Sequence, residues 1–352
     1  MNRRARTRYT ALLLTAGLFG GLVACASPAT EPAADGDLDC STAPEASGDP
    51  VNIRIATGAA AEEPVWLMGE KPELTPQQGK SYSLELKSFD DSEKKLVGYQ
   101  AGDVDAVVVP MPALIVGTAR GALDLVPLFT VMQEAGEGAF GTSFVVKGDS
   151  DIKSVEDLKG ATIGILDFRS TPDFVARMGL KQGGYSPEDA TFVTLPFPAQ
   201  LEALNSGVVD VAAVAEPFAT MATSGPDPAR ILFSSQDVVG HPYDQLVVSV
   251  DREFAQKNLR AVCDLRDDYA GVVEWYQGNK DEAKTIIAEA GYIKYPLDIY
   301  LKAKDYARPE AGAFDPSEMA ALMDDMESVG LLKKDERVDV DSLYVTGFTA
   351  GN

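Results

Sequence analysis

The chain has 352 residues, 45% of them hydrophobic and 24% charged. That is ordinary globular composition, long enough for two or three domains, and it excludes disordered and collagen-like chains. With 54 acidic against 31 basic residues the net charge is −23, which repels phosphate backbones and excludes nucleic acid as a partner. The single histidine, His241, rules out a His-rich zinc site, an HExxH protease and any His-containing triad not built on that residue. No resident metal or cofactor is expected.

The elements begin with a basic segment, MNRRARTRYT, followed by an apolar stretch over residues 11–24. A basic start and a short apolar run make residues 1–24 a signal peptide, since fourteen residues fall short of the roughly 20 a membrane helix needs. Leu22-Val23-Ala24-Cys25 resembles the lipobox of bacterial lipoproteins, which implies cleavage before Cys25 and a lipid on its thiol. The alternative is an apolar stretch that happens to end in Cys. Loss of the four leader arginines would bring the mature charge to about −27. Residues 25–50, rich in Ala, Pro, Asp and Ser, read as a lipidated flexible tether reaching roughly 25 to 30 Å. With Cys25 used by lipid, Cys40 and Cys263 are left in an oxidising compartment, where pairing is the default. Otherwise Cys263 is a buried small apolar residue and Cys40 stays free.

From Val51 short β-branched runs alternate with helical patterns: VNIRIATG, SLELKSF, DAVVVP, FVVKG, ATIGIL, TFVTLP, VAAVAEP and QLVVSV. Such alternation points to parallel strands in α/β units. The run GDVDAVVVPMP beginning at Gly102 recurs 105 residues later as GVVDVAAVAEP beginning at Gly207. In both, a Gly suited to end a helix precedes a buried strand that Pro stops. Two similar α/β lobes follow from this repeat, facing each other across a cleft beyond the carboxyl ends of their strands. After residue 250 the chain reads as helical, with helices over 261–277 and 281–290. Another opens at Asp315-Pro316-Ser317-Glu318, with Met319, Leu322, Met323 and Met326 on its core face.

The run Ser154-Val155-Glu156-Asp157-Leu158-Lys159-Gly160-Ala161-Thr162-Ile163-Gly164 resembles the opening of the second lobe in bacterial ABC-transporter substrate-binding proteins. Gly183-Gly184-Tyr185-Ser186-Pro187-Glu188-Asp189, the segment Ala203-Leu204-Asn205-Ser206-Gly207 and Glu216-Pro217-Phe218 continue the resemblance, toward the nitrate, sulfonate, taurine and thiamine-precursor branch. The resemblance spans residues 51–335. It implies an α/β type II periplasmic-binding-protein fold, with residues 51–142 and 245–352 as lobe one, residues 143–244 as lobe two, and hinge crossings near 143–147 and 236–249. It also implies a monomer that captures a small-molecule solute and delivers it to ABC permease subunits, held at the membrane by its lipid. Two departures from the pattern lie beside the expected pocket. Asp167-Phe168-Arg169-Ser170-Thr171 stands where the family has a Gly/Ser-rich turn, and KPELTPQQGK stands where it has a helix end.

Candidate ligand residues follow from the strand ends. Thr57, Gly58 and Trp66 follow the first strand, Trp66 as a flat wall or as packing. Pro110, Met111 and Pro112 end the repeated strand of lobe one, on the cleft floor or merely as a strand stop. Thr142 and Ser143 offer hydroxyls to a ligand or to backbone. Arg169, Ser170 and Thr171 open a helix whose N–H groups, with a guanidinium fork, suit a sulfonate or carboxylate; the competing reading pairs Arg169 with Asp167 or Asp173. Glu216 accepts an amino group of the ligand or pairs with a hinge cation. His241 reads as hinge packing. The primary expectation is thus a polar or anionic organic solute such as a sulfonate, taurine or nitrate. The alternative is a thiamine-precursor pyrimidine or aromatic compound stacked on Trp66 and held by Glu216. An enzyme on this fold, with Ser143 or Ser170 as nucleophile, lacks any neighbouring base motif, and a scaffold lipoprotein does not account for two lobes.

Overall fold

The computed structural model describes residues 38–89, 92–134, 141–224 and 226–343, with backbone alone at 341 and 342. The leader, Cys25 and the tether as far as residue 37 lie outside the described residues. The described strands are β1 (Val51–Thr57), β2 (Tyr82–Ser88), β3 (Ala106–Pro110), β4 (Leu125–Glu134), β5 (Thr142–Val146), β6 (Thr162–Ile165), β7 (Thr191–Thr194), β8 (Val211–Ala215), β9 (Arg230–Ser234) and β10 (Tyr243–Asp251). They build two five-stranded sheets, ordered β2-β1-β3-β10-β4 and β7-β6-β8-β5-β9. The sequence repeat sits on equivalent strands, β3 and β8, and the glycines before them, Gly102 and Gly207, take the left-handed conformation with φ +75° and +78°. That conformation ends the preceding helix without a Cβ penalty.

The expectation of parallel strands holds for β2-β1-β3 and β7-β6-β8. It fails for FVVKG and QLVVSV: β5 and β10 run antiparallel to their neighbours, so both sheets are mixed. The reason is direction. The repeated strands end at the cleft, whereas β5 and β10 begin there, because each receives the chain as it arrives from the other lobe. The crossing expected at 143–147 is likewise displaced. Residues 143–146 are already paired inside the second sheet, whereas β4, ending at Glu134, belongs to the first. The return runs through residues 235–242, and β10 from Tyr243 onward belongs to the first sheet. Strands β4 and β9 were not among the sequence runs. β4 carries Pro127, which argues against a central strand, but β4 is an edge strand whose one strand partner among the described residues is β10, where a missing N–H is tolerated.

Helices cover the sheets: α1 (Glu63–Glu70), α2 (Ser92–Gln100), α3 (Met111–Ala119), α4 (Thr171–Gln182), α5 (Phe197–Ser206), α6 (Phe218–Thr223), α7 (Ser235–Val239), α8 (Arg252–Lys257), α9 (Leu259–Gly278), α10 (Lys280–Glu289), α11 (Leu297–Lys302) and α12 (Pro316–Ser328). Asp315 caps α12, its carboxylate accepting from Ser317 N–H at 2.9 Å. Met319, Leu322, Met323 and Met326 are at most 2% exposed, each contributing about 1.5–3 kcal/mol of burial. Leu38 is buried in the core and Cys40 is joined to Cys263 of α9, their Cα atoms 5.7 Å apart, so the segment before β1 is docked from Leu38 on. Among the described residues no helix is long and apolar enough to cross a membrane.

Candidate functional site

The carboxyl ends of β1, β2 and β3 face those of β6, β7 and β8 across a cleft of about 540 Å³. Strand ends of parallel βα units leave loop backbone and helix N-termini at one edge, which is why the cavity forms there. Lobe one supplies the Gly58–Ala60 turn, Ser88, Phe89, Lys94, Lys95 and Pro110; lobe two supplies Leu166, Ser170, Thr171, the Pro196–Pro198 stretch, Ala215 and Phe218. Met132, Thr142, Gln245 and Leu246 line it where the chain crosses, and Tyr292, Lys294 and Tyr295 close one side.

On the lobe-two wall, Ser170 caps α4, its hydroxyl accepting from Asp173 N–H at 3.4 Å and donating to Asp167 O at 2.5 Å. Thr171 is 2% exposed and, among the described residues, its hydroxyl has no hydrogen-bond partner. Arg169 is exposed with φ +66°, and its N–H, not its guanidinium, donates to Asp173 Oδ2 at 2.7 Å. The other Asp173 oxygen accepts from Arg177 at 2.7 Å. Ser170 and Thr171 therefore sit on the cleft while Arg169 is not among the residues lining it. Across the opening, Ser92 N–H at the start of α2 donates to Asp167 Oδ2 at 3.2 Å, a direct hydrogen bond from lobe one to lobe two.

The remaining candidates divide in the same way. Gly58 and Thr142 line the cleft; Thr57, Met111, Pro112 and Ser143 are buried and do not. Trp66 is fully buried one layer behind, stacked on Tyr292 at 5.5 Å between centroids. Glu216 turns its carboxylate to Thr220 N–H at 3.1 Å, capping α6, and its carbonyl accepts from Tyr306 at 2.8 Å. His241 is held by Asp325 of α12 at 2.9 Å.

Several residues escaped the sequence reading. Glu62 and Lys95, 1% and 3% exposed, form an ion pair at 3.2 Å on the cleft wall. Glu62 also accepts from Gly58 N–H at 2.8 Å, and a Cβ on Gly58 would lie 2.9 Å from its carboxylate and push that side chain aside. Burial pushes the Glu62 carboxyl upward, against the pull of the Lys95 cation. Glu-Glu-Pro before an apolar run looks like ordinary helix-start chemistry, which hid this pair. At the crossings, Glu134 accepts from Gly141 N–H at 2.8 Å and from the Ser235 hydroxyl, tying the outgoing strand to the returning helix. Burial raises its carboxyl to about 7. Among the described residues the cleft lining holds three lysines and one carboxylate, a cationic balance in a chain of net charge −23.

Over residues 79–277, more than half its length, the sequence matches the family described as ABC transporter, phosphonate, periplasmic substrate-binding protein. The chain belongs to this family. A substrate-binding protein of this class is extracytoplasmic, and binding followed by transfer to a permease, not catalysis, is its ordinary task. No curated protein matches the sequence. Among solved structures, the substrate-binding protein is similar to the ligand-binding component of an ABC-type import system from Staphylococcus aureus, solved with zinc bound. That match has 14% identity and TM-score 0.68, covering 84% of this chain and 96% of the other. It is also similar to the periplasmic aliphatic sulphonate-binding protein of Escherichia coli, with 18% identity, TM-score 0.65 and coverage of 85% and 99%. The nitrate-binding protein of Synechocystis PCC 6803 matches with 13% identity, TM-score 0.67 and coverage of 85% and 87%. These likenesses give the periplasmic-binding-protein fold. Among the described residues no group of three or more His, Cys, Asp or Glu side chains is placed to hold a metal ion.

Proposed function

We propose that this substrate-binding protein is a lipoprotein, anchored through Cys25, that captures a small polar or anionic organic solute between its lobes and delivers it to ABC permease subunits as a monomer. The observation that carries the reading is the cleft itself: among the described residues it is lined by three lysines and one carboxylate beside the N-terminus of α4, where Thr171 keeps a hydroxyl with no partner among them. Helix donors and cations together favour an anion against the repulsion of the surrounding acidic surface. The relatives support the same chemistry, since one is named for sulphonates and another for nitrate. The pyrimidine alternative loses its two anchors, because Trp66 lies behind Tyr292 and Glu216 caps α6.

A thermal-shift panel of sulfonates, phosphonates, taurine, nitrate and neutral pyrimidines tests the reading. An anion at 100 times its dissociation constant adds about 2.7 kcal/mol of stability. Stabilisation by the neutral pyrimidines alone would overturn the anion assignment. Anchoring is tested separately: Cys25→Ala should move the protein from the membrane to the soluble fraction, and a wild-type protein already soluble would end that part of the proposal.

A further inference from the structure

The short connection from α10 to α11 brings two tyrosines and a lysine to the cleft: Tyr292, Lys294 and Tyr295 all line it. Tyr292 lies on the buried Trp66 with planes within 16°, which fixes that ring against lobe one. Tyr295 meets the ring of Phe218 in an edge contact at 5.6 Å, and Phe218 meets Phe197 at 5.3 Å. A continuous row of three rings therefore passes from lobe one onto α5 and α6 of lobe two, all three bordering the cavity. Rings of this kind attract a further ring edge-on or offset, beyond the area they bury. A lysine beside them supplies a compact positive charge.

We propose that the solute is an oxyanion carried on an aromatic body, its ring lying against the Phe197, Phe218 and Tyr295 row and its charged head met by Lys294. The inference rests on reading the cleft as an anion site and narrows that reading to one class. Size points the same way. A bare inorganic oxyanion occupies about the space of two waters, roughly 60 Å³, whereas cavities of several hundred Å³ suit ring-bearing organic ligands. Because the row is assembled from both lobes, ring contact is complete only when the lobes stand together, so an aromatic ligand would itself favour closure.

Calorimetric titration of the full mature chain tests this with benzenesulfonate, phenylphosphonate, their cyclohexyl counterparts and neutral benzamide. At least one aryl oxyanion should bind about tenfold more tightly than its cyclohexyl analogue, and benzamide should bind at least tenfold more weakly than that aryl anion. Phe197→Leu should weaken the aryl anion by about threefold to tenfold and leave the cyclohexyl analogue within twofold. Lys294→Gln should weaken both anions alike. Equal affinity for aryl and cyclohexyl anions, or an unchanged aryl affinity in Phe197→Leu, overturns the aromatic assignment while the anion site stands. Benzamide binding as tightly as benzenesulfonate overturns the anion site itself, and no binding by any probe overturns both.

Discussion

Glu134 offers a direct test of how the two crossings are held together. Its carboxylate, 1% exposed, accepts from Gly141 N–H at 2.8 and 3.0 Å and from the Ser235 hydroxyl, with no cation within ion-pair distance among the described residues. Burial raises its pKa from the usual 4.5 to about 7, so the folded protein holds a proton there that the unfolded chain releases at lower pH. Stability from this group is therefore fully present below about 4.5 and falls as pH rises toward 7, at about 1.4 kcal/mol per pH unit. The accumulated loss is about 3 kcal/mol. Glu134→Gln keeps the shape and an acceptor for Gly141 while removing the titration, so the variant should gain about 3 kcal/mol relative to wild type between pH 4.5 and pH 8. Urea denaturation of both proteins at the two pH values measures this difference directly. Asp244, whose carboxyl burial pushes to about 8, is common to both proteins and cancels. A gap between variant and wild type that stays within about 0.5 kcal/mol across that range would refute the reasoning.

Two further outcomes follow from buried groups. Lys95→Met leaves Glu62 buried and uncompensated, and should cost about 3–5 kcal/mol in denaturant unfolding, most of which the double variant Glu62→Gln/Lys95→Met should restore; equal losses in both would show that the pair acts through packing alone. For the Cys40 to Cys263 bridge, 223 residues apart, the chain-entropy relation gives about 5 kcal/mol. Cys40→Ser/Cys263→Ser should lower the urea midpoint accordingly, and two free thiols in the denatured, unreduced wild type would remove the basis for the expectation.

The sequence exposed the parts of this molecule whose physics is local. The Gly102 and Gly207 repeats mark helix ends followed by buried strands, and both sit on equivalent strands of the two sheets. Asp315-Pro316 announces α12, and Ser170 before Thr171-Pro172 announces the cap that borders the cleft. What escaped depends on partners far along the chain. β4 is disguised by Pro127, which only an edge position excuses, and β9 is a five-residue run, RILFS, too short and without alternation to read as a strand. The antiparallel course of β5 and β10 follows from which side of the cleft the chain enters, a fact that no window of residues contains. Among site residues, Ser170 and Thr171 were readable from strand-turn-helix chemistry. Tyr292, Lys294 and Tyr295 were not, because they lie in a connection between helices that becomes a cleft wall only through the stacking of Tyr292 on Trp66. Glu62 and Lys95 lie 33 residues apart, with nothing local to join them.

The placement of β10 between β3 and β4 sets the order in which this chain can acquire structure as its residues become available from the N-terminus onward. All five strands of the second sheet lie within residues 142–234, so that sheet can close as soon as they have emerged. The first sheet cannot. β3 and β4 have no edge in common until residues 243–251 arrive to bridge them, and the loop that must close for this pairing is long and entropically slow. The inserted lobe can thus complete its sheet first, while β3 and β4 of the other lobe stay unbridged until β10 arrives, leaving strand edges of the kind that aggregate or recruit chaperones. Cys40 has no partner until Cys263 follows β10 out, which makes oxidation of that pair a late event that seals a lobe already assembled.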